Sequence, residues 1–181
     1  LQTENINMEE ILTFAESLIG VKYTLWKGGP LSKEPYPFYI NEIPNIEYIK
    51  QNGINCAGFI NLLRLKSGKD VPGNGDYRGG TFSWFNHFKE KNCLEVFDYR
   101  KRYPLGTLFM REYRSIKDQG HCAVLYELDK NDLWLNNKII HSYNDENGGT
   151  VGLSVLGHSH YSIPEGYYEY IILPENWLLR T

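Results

Sequence analysis

The sequence has few cysteines, little net charge and no long apolar run. Its three cysteines, Cys56, Cys93 and Cys122, are an odd number with no CxxC spacing, which argues against a disulfide scaffold and against a structural zinc. No apolar run approaches the roughly 20 residues that a membrane span needs. A net charge of −3 gives no support to nucleic-acid binding. We therefore predict no cofactor, no metal and no nucleic-acid partner.

The composition is that of a globular chain. Apolar residues make up 41 % and charged residues 23 % of the 181 residues, and no low-complexity tract or linker divides them. No positively charged leader with an apolar centre is present. We therefore expect one soluble domain over 1–181 with no transmembrane segment and no signal peptide. Its compartment and oligomeric state are left open.

Helical periodicity is confined to the first half of the chain. Apolar residues at i, i+3, i+4 and i+7 spacing predict a helix over 8–19, with Asn7 as its N-cap. Two further apolar segments, 56–67 and 81–90, are also predicted to be helices. The intervening stretch 21–50 is rich in glycine, proline and tyrosine and predicts a long irregular segment.

The second half has the pattern of short strands separated by turns. Alternating or β-branched runs occur at 106–111, 122–128, 138–143, 151–156 and 167–173. Helices followed by strands predict an α+β fold, with N-terminal helices packed on a mostly antiparallel sheet.

Cys56 stands at the predicted start of the second long helix. Unpaired N–H groups and the positive end of the helix dipole stabilise a thiolate there, and the thiolate is the nucleophilic form of cysteine. The same N–H groups could hold an oxyanion during acyl transfer. Position alone is equally well explained by a cysteine buried at the start of a core helix.

His121 and His141 are the candidate partners of Cys56. His121 begins a predicted strand, where its imidazole can face a helix terminus and act as the base for a thiol. His141 lies on the next strand and could orient that base if the two strands pair. Taken alone, His121 can also be interpreted as a partly exposed residue at the end of a strand, and His141 as a polar residue on the solvent face of a strand. Cys122 is predicted to point to the strand face opposite His121.

The remaining histidines and cysteine carry weaker signals. His158 and His160 form a His-x-His pair but lack a third ligand nearby, so we do not predict a metal site there. His87 is interpreted as a packing residue among aromatic neighbours, and Cys93 has no activating neighbour in sequence.

Five short motifs, in this order, resemble those of the NlpC/P60 family of papain-like cysteine peptidases. They are 20–29 (GVKYTLWKGG), 55–59 (NCAGF), 104–109 (PLGTLF), 120–126 (GHCAVLY) and 139–142 (IIHS). The resemblance covers roughly residues 9 to 173. It implies a papain-like α+β fold, with Cys56 as nucleophile, His121 as base and His141 as the orienting residue. It also implies that Tyr23 faces the nucleophile and helps to position the substrate or oxyanion.

The resemblance implies an activity as well as a fold. It suggests a cysteine peptidase or amidase that acts through a thioester acyl-enzyme, with the peptidoglycan stem peptide as the family's usual substrate. An acyltransferase, a lipid or isopeptide hydrolase, and a catalytically silent binding module are the alternatives.

The chain departs from the family pattern at four places, one of which is the Trp-Gly-Gly segment that Leu25 and Lys27 extend. Asn55 replaces the usual Asp before the nucleophile, and the spacing from His121 to His141 is lengthened by a predicted extra hairpin at 129–137. Residues 30–50 resemble an insertion. Because this segment is aromatic and proline-rich, we expect it to form one side of the active site, with Tyr36, Phe38 or Tyr39 available to stack on a substrate. The alternative is a surface loop that covers apolar area away from the cleft.

Overall fold

The computed structural model describes residues 7–31, 37–144, 149–157 and 167–179. Its helices are α1 Met8–Ser17, α2 Ile46–Asn52, α3 Cys56–Lys66, α4 Thr81–Glu90 and α5 Pro174–Trp177. Its strands are β1 Glu95–Val96, β2 Leu108–Arg111, β3 His121–Glu127, β4 Lys138–Ser142, β5 Val151–Val155 and β6 Tyr170–Ile172. The strands form one sheet in the order β1-β6-β2-β3-β4-β5, with every neighbouring pair antiparallel.

The predicted α+β class is therefore confirmed, and the predicted helices and strands fall close to the observed ones. The sequence-based interpretation of 21–50 as wholly irregular is wrong at its end, where α2 forms. Asn45 caps that helix, its side chain accepting a hydrogen bond from the backbone N–H of Tyr48 at 2.9 Å. The predicted extra hairpin at 129–137 is instead the connection between β3 and β4, and it holds a 3₁₀ turn at Trp134–Asn136.

Both faces of the sheet are buried. The face that carries Cys122, Val124 and Ile140 packs against the helices, and α3 lies on β3 and β4. The other face carries Ala123 and Leu125, which pack in a second cluster built around aromatic rings. As a result β3 is apolar along nearly its whole length, and α3 is held against the centre of the sheet.

The N-terminus of α3 also packs against a segment that comes before it in the chain. The carbonyl oxygen of Pro37 accepts a hydrogen bond from the N–H of Asn55 at 3.2 Å. A Cβ atom at Gly58 would lie 1.7 Å from that same oxygen, so only glycine allows the two backbones to approach this closely. The first turn of α3 is thus packed between the sheet and the segment that begins at Pro37.

None of the helices in the described ranges is both long enough and apolar enough to cross a bilayer.

Candidate active site

Cys56 is the first residue of α3, directly after the N-cap Asn55. The Asn55 side-chain oxygen accepts a hydrogen bond from the N–H of Gly58 at 2.8 Å. The N–H groups of Cys56 and Ala57 come too early in the helix to have an acceptor within it. Because the cap is an amide, it satisfies the helix end without placing a negative charge beside the sulfur. The site therefore favours the thiolate form of Cys56.

Cys122 contacts Cys56, which the sequence did not predict. The prediction that Cys122 points to the strand face opposite His121 is correct. The face that carries Cys122 is the one that packs on α3. The Cys122 thiol donates a hydrogen bond to the Cys56 sulfur, and this bond is the largest of the influences that hold the pKa of Cys56 well below its ordinary value. Burial opposes the shift, while a hydrogen bond from His121 and its positive charge add to it.

The two thiols are therefore unequal. Burial, followed by the hydrogen bond to Cys56 and the charge of its sulfur, raises the pKa of Cys122 well above its ordinary value. Cys122 thus remains a protonated donor while Cys56 ionises.

We expect Cys122→Ala to raise the pKa of Cys56, because it removes the hydrogen bond with the largest effect on the thiolate. Cys122→Ser is the matched control, since a serine hydroxyl can still donate. The measurement is the pH dependence of the iodoacetamide alkylation rate at Cys56, followed by peptide mass spectrometry. Equal pKa values in the alanine and serine variants would show that Cys122 does not stabilise the thiolate.

His121 is placed by a turn at the start of β3. Gly120 has φ +73°, and a Cβ there would lie 2.4 Å from the carbonyl oxygen of Arg111, so the turn requires glycine. The alternation of side chains along the strand directs His121 to the face opposite Cys122. His121 is nevertheless close enough to Cys56 for its ring and charge to lower the pKa of that thiol. It is 4 % exposed.

A chain of hydrogen-bonding groups leads from His121 through His141 to Ser154. Its Nε2 lies 2.8 Å from Nδ1 of His141, and Nε2 of His141 lies 2.8 Å from Oγ of Ser154 on β5. Strands β3 and β4 do pair, which allows the two rings to meet. His141 is 1 % exposed, so its interpretation as a residue on a solvent face is wrong.

The electrostatics of this chain favour one arrangement of protons. Burial, and secondarily the positive charge of His121, lowers the pKa of His141 well below its ordinary value, so His141 is neutral. If His121 accepts the thiol proton at Nδ1, its Nε2–H donates to Nδ1 of His141. His141 then carries its hydrogen on Nε2 and donates to Ser154. The sequence did not predict the contact between Ser154 and His141.

The lowered pKa of His141 makes stability depend on pH. Below about pH 6.5 an unfolded His141 binds a proton that the folded protein does not bind. The free energy of unfolding should therefore fall as the pH is lowered from about 7 towards the folded pKa. We expect His141→Asn to weaken this dependence, measured by urea unfolding at about pH 7.5 and about pH 5.5. Burial also lowers the pKa of His87. This histidine contributes to the pH dependence of stability in both the parent protein and the variant, so it does not affect the comparison. An unchanged pH dependence in His141→Asn would contradict a buried neutral imidazole.

Tyr23 lies next to the nucleophile along the backbone. It forms an isolated parallel bridge with Ile54, two residues before Cys56, and the N–H of Thr24 donates to the carbonyl oxygen of Ile54 at 3.2 Å. The backbone is thus close to α3, and the expected role of the Tyr23 side chain stays a prediction.

A cavity of about 400 Å³ opens beside Cys56, and neither His121 nor His141 is among the described residues that line it. The described residues that line it are Trp26, Leu31, Phe38, Asn55, Cys56, Ala57, Tyr77, Gly80, Thr81, Phe82, Tyr113 and Gln119. The side-chain amide of Gln119 donates to the carbonyl oxygen of Trp26 at 3.0 Å. Because Gln119 comes two residues before His121, this bond links the cavity wall to the start of β3.

The described part of the segment 30–50 supplies part of this wall. Leu31 and Phe38 are buried and line the cavity. Tyr39 does not: it is buried in the main core, and its hydroxyl donates to the carbonyl oxygen of Gly53 at 2.8 Å. The expectation that Tyr39 could stack on a substrate is therefore wrong. Tyr36 lies outside the described residues.

The His-x-His pair, His158 and His160, also lies outside the described residues. Within the described part of the chain, no three histidine, cysteine or acidic side chains come together in a way that could hold a metal ion.

A comparison with protein-family models and a comparison with curated protein sequences both found nothing that matches this chain.

Taken together, the arrangement has the parts of a thiol-based acyl-transfer site. A thiol with a lowered pKa lies at a helix N-terminus, an imidazole contributes to lowering that pKa, and a buried neutral imidazole lies 2.8 Å from the first one. N–H groups of the first turn of a helix can stabilise a carbonyl oxygen that becomes negative. The chemistry it can perform is nucleophilic attack on a carbonyl carbon.

Proposed function

We propose that this protein is a cysteine hydrolase, a peptidase or amidase of papain-like NlpC/P60 type. The observation that carries the proposal is the continuous path from Cys56 through His121 and His141 to Ser154, with the pKa of the thiol lowered at its start. A thiol of low pKa next to an oriented imidazole is the arrangement that activates cysteine for covalent catalysis.

In the first half of the reaction, the thiol proton passes to His121 and the sulfur of Cys56 attacks the substrate carbonyl carbon. The carbonyl oxygen becomes negative near the N–H groups of the first turn of α3. The tetrahedral intermediate collapses when the bond to the leaving group breaks. His121 returns the proton to that amine or alcohol, and a thioester remains on Cys56.

In the second half, water replaces the leaving group. His121 takes a proton from the water as its oxygen attacks the thioester carbon, and the bond between carbon and sulfur then breaks. The acid is released and the proton returns to the sulfur. His141 stays neutral throughout and accepts the hydrogen bond from the imidazolium of His121, which stabilises the charged intermediate state.

Trapping the thioester tests this proposal. The protein is mixed with p-nitrophenyl acetate at low pH, quenched in acid and digested, and the peptides are examined by mass spectrometry. We expect an acetyl group on the peptide that contains Cys56 and none on Cys93. Acetylation of all three cysteines at similar rates, or of none, would overturn the proposal.

A further inference from the structure

The cavity beside Cys56 is unusual for the chemistry expected of it, because none of the described residues that line it, apart from Cys56 itself, is charged. Its wall is formed mainly by aromatic and aliphatic side chains, and its other polar groups are those of Asn55, Thr81 and Gln119, the tyrosine hydroxyls and the indole N–H of Trp26. At about 400 Å³ it lies within the size range of small-molecule sites.

The aromatic wall is a packed structure. The ring of Trp26 lies edge-on to Phe38, with centroids 6.0 Å apart, and 6.5 Å from the ring of Tyr113. The indole Nε1 of Trp26 is buried and has no acceptor within the described part of the chain. A neutral oxygen acceptor could satisfy that donor without any charge being buried.

The lack of a cation on the described walls limits which acyl groups this cavity can bind. An anionic acyl group, such as a glutamyl residue with a free carboxylate, would lose hydration there without meeting a cation on the described walls. An apolar group gains from the same transfer, since each buried methylene contributes about fourfold to binding.

We infer that the cavity beside Cys56 binds the uncharged, apolar acyl group of an ester or amide substrate. This inference rests on the proposed hydrolase function and narrows its substrate class. The acyl carbon bonds to the Cys56 sulfur as the ester oxygen or amide nitrogen leaves with the proton from His121, and water then releases the acid. Cys56 lines the cavity, so an acyl chain attached to its sulfur can occupy the space that Leu31, Ala57 and Phe82 also line.

Two series of probes test the inference separately from the proposed function. The first compares kcat/KM for p-nitrophenyl acetate, butyrate and octanoate, and for the anionic p-nitrophenyl monoester of glutarate. We expect octanoate to exceed acetate by about tenfold or more, and the glutarate ester to be hydrolysed more slowly than butyrate. The second compares alkylation of Cys56 by iodoacetamide and by N-hexyl iodoacetamide, which needs no turnover. We expect the hexyl reagent to react faster.

Phe82 offers a variant that leaves the fold intact. It lines the cavity yet is 57 % exposed, so Phe82→Ala removes part of the wall at little cost to the core. Tyr99→Ala is the matched control, because Tyr99 is 51 % exposed and is not among the lining residues. We expect Phe82→Ala to lower the preference for the longer chain at least about threefold in both series, and Tyr99→Ala to leave it unchanged.

The outcomes are distinguishable. Cys56-dependent hydrolysis of acetate with no preference for chain length overturns the inference and leaves the hydrolase function standing. Failure to hydrolyse any ester overturns the function, and the alkylation series then decides what the cavity binds. A faster reaction with the anionic ester than with butyrate, or equal alkylation rates for both reagents, also overturns the inference.

Discussion

Replacing Cys56 by alanine is expected to abolish turnover, lowering kcat by about a thousandfold or more on any substrate that the protein hydrolyses. The sulfur forms the covalent bond in the proposed reaction. Cys122 cannot replace it, because Cys122 does not line the cavity, and burial, the largest influence that raises its pKa, is still present when Cys56 is removed. The stability cost should be small, about 1 kcal/mol, since a small buried side chain loses a sulfur and its hydrogen bonds with Cys122 and His121. Steady-state hydrolysis and urea unfolding measure the two effects.

Variants of His141 are the control for this experiment. We expect His141→Ala to leave a weaker but measurable rate, because an orienting residue contributes only part of the barrier reduction. His141→Asn should retain more activity than His141→Ala, since the amide oxygen can still accept from His121. Equal turnover in Cys56→Ala and in the parent protein would rule out the mechanism.

Gly58→Ala is expected to have the largest effect on stability. Within a helix this change normally adds about 1 kcal/mol of stability. Here the new methyl carbon would lie 1.7 Å from the carbonyl oxygen of Pro37, and a backbone atom cannot move aside as a flexible side chain can. We expect a net loss of about 2 kcal/mol or more in the free energy of unfolding, measured by urea unfolding.

The same substitution at Gly152 is the control for Gly58→Ala. Gly152 lies in β5, and the nearest atom to its added Cβ is a carbon of the Tyr143 ring at 3.4 Å. We expect Gly152→Ala to change stability by less than about 1 kcal/mol. A Gly58→Ala variant as stable as the parent would mean that the Pro37 segment does not pack on α3 as described.

Local patterns in the sequence were sufficient for the three longest helices, α1, α3 and α4, and for most strands. The apolar spacing over 8–19 predicts α1, and the cap at Asn7 is present, since its side chain accepts from the N–H of Glu10 at 2.9 Å. The start of α3 at Cys56 was likewise predicted, from the apolar segment 56–67, and the structure shows that Asn55 caps it. Helix α2 was missed because it is only seven residues long and follows a proline-rich stretch.

The role of Cys122 could not be predicted from the strand pattern. All of the residues from His121 to Leu125 are buried, so no alternation between apolar and polar residues marks the face that meets the helices. The alternating direction of side chains along a strand did place His121 and Cys122 on opposite faces. Only the packing of α3 shows that both residues contact the Cys56 sulfur.

Ser154 and the cavity depend on long-range structure in the same way. Ser154 reaches His141 only because of the register between β4 and β5, which pairs Ile139 with Ser154 and His141 with Gly152. The cavity wall combines residues from the segment before α3, from α4 and from the turn before β3. No local spacing in the sequence encodes either arrangement.

The titration of Cys56 is the decisive measurement, because the proposed chemistry requires a thiolate near neutral pH. The absorbance of the thiolate at about 240 nm is followed against pH in the parent protein and in Cys56→Ser, and the difference isolates this one sulfur. We expect a transition clearly below the free-thiol value of about 8.5, shifted upward in His121→Ala. A transition at or above that value in the parent protein would show that Cys56 is not an activated nucleophile.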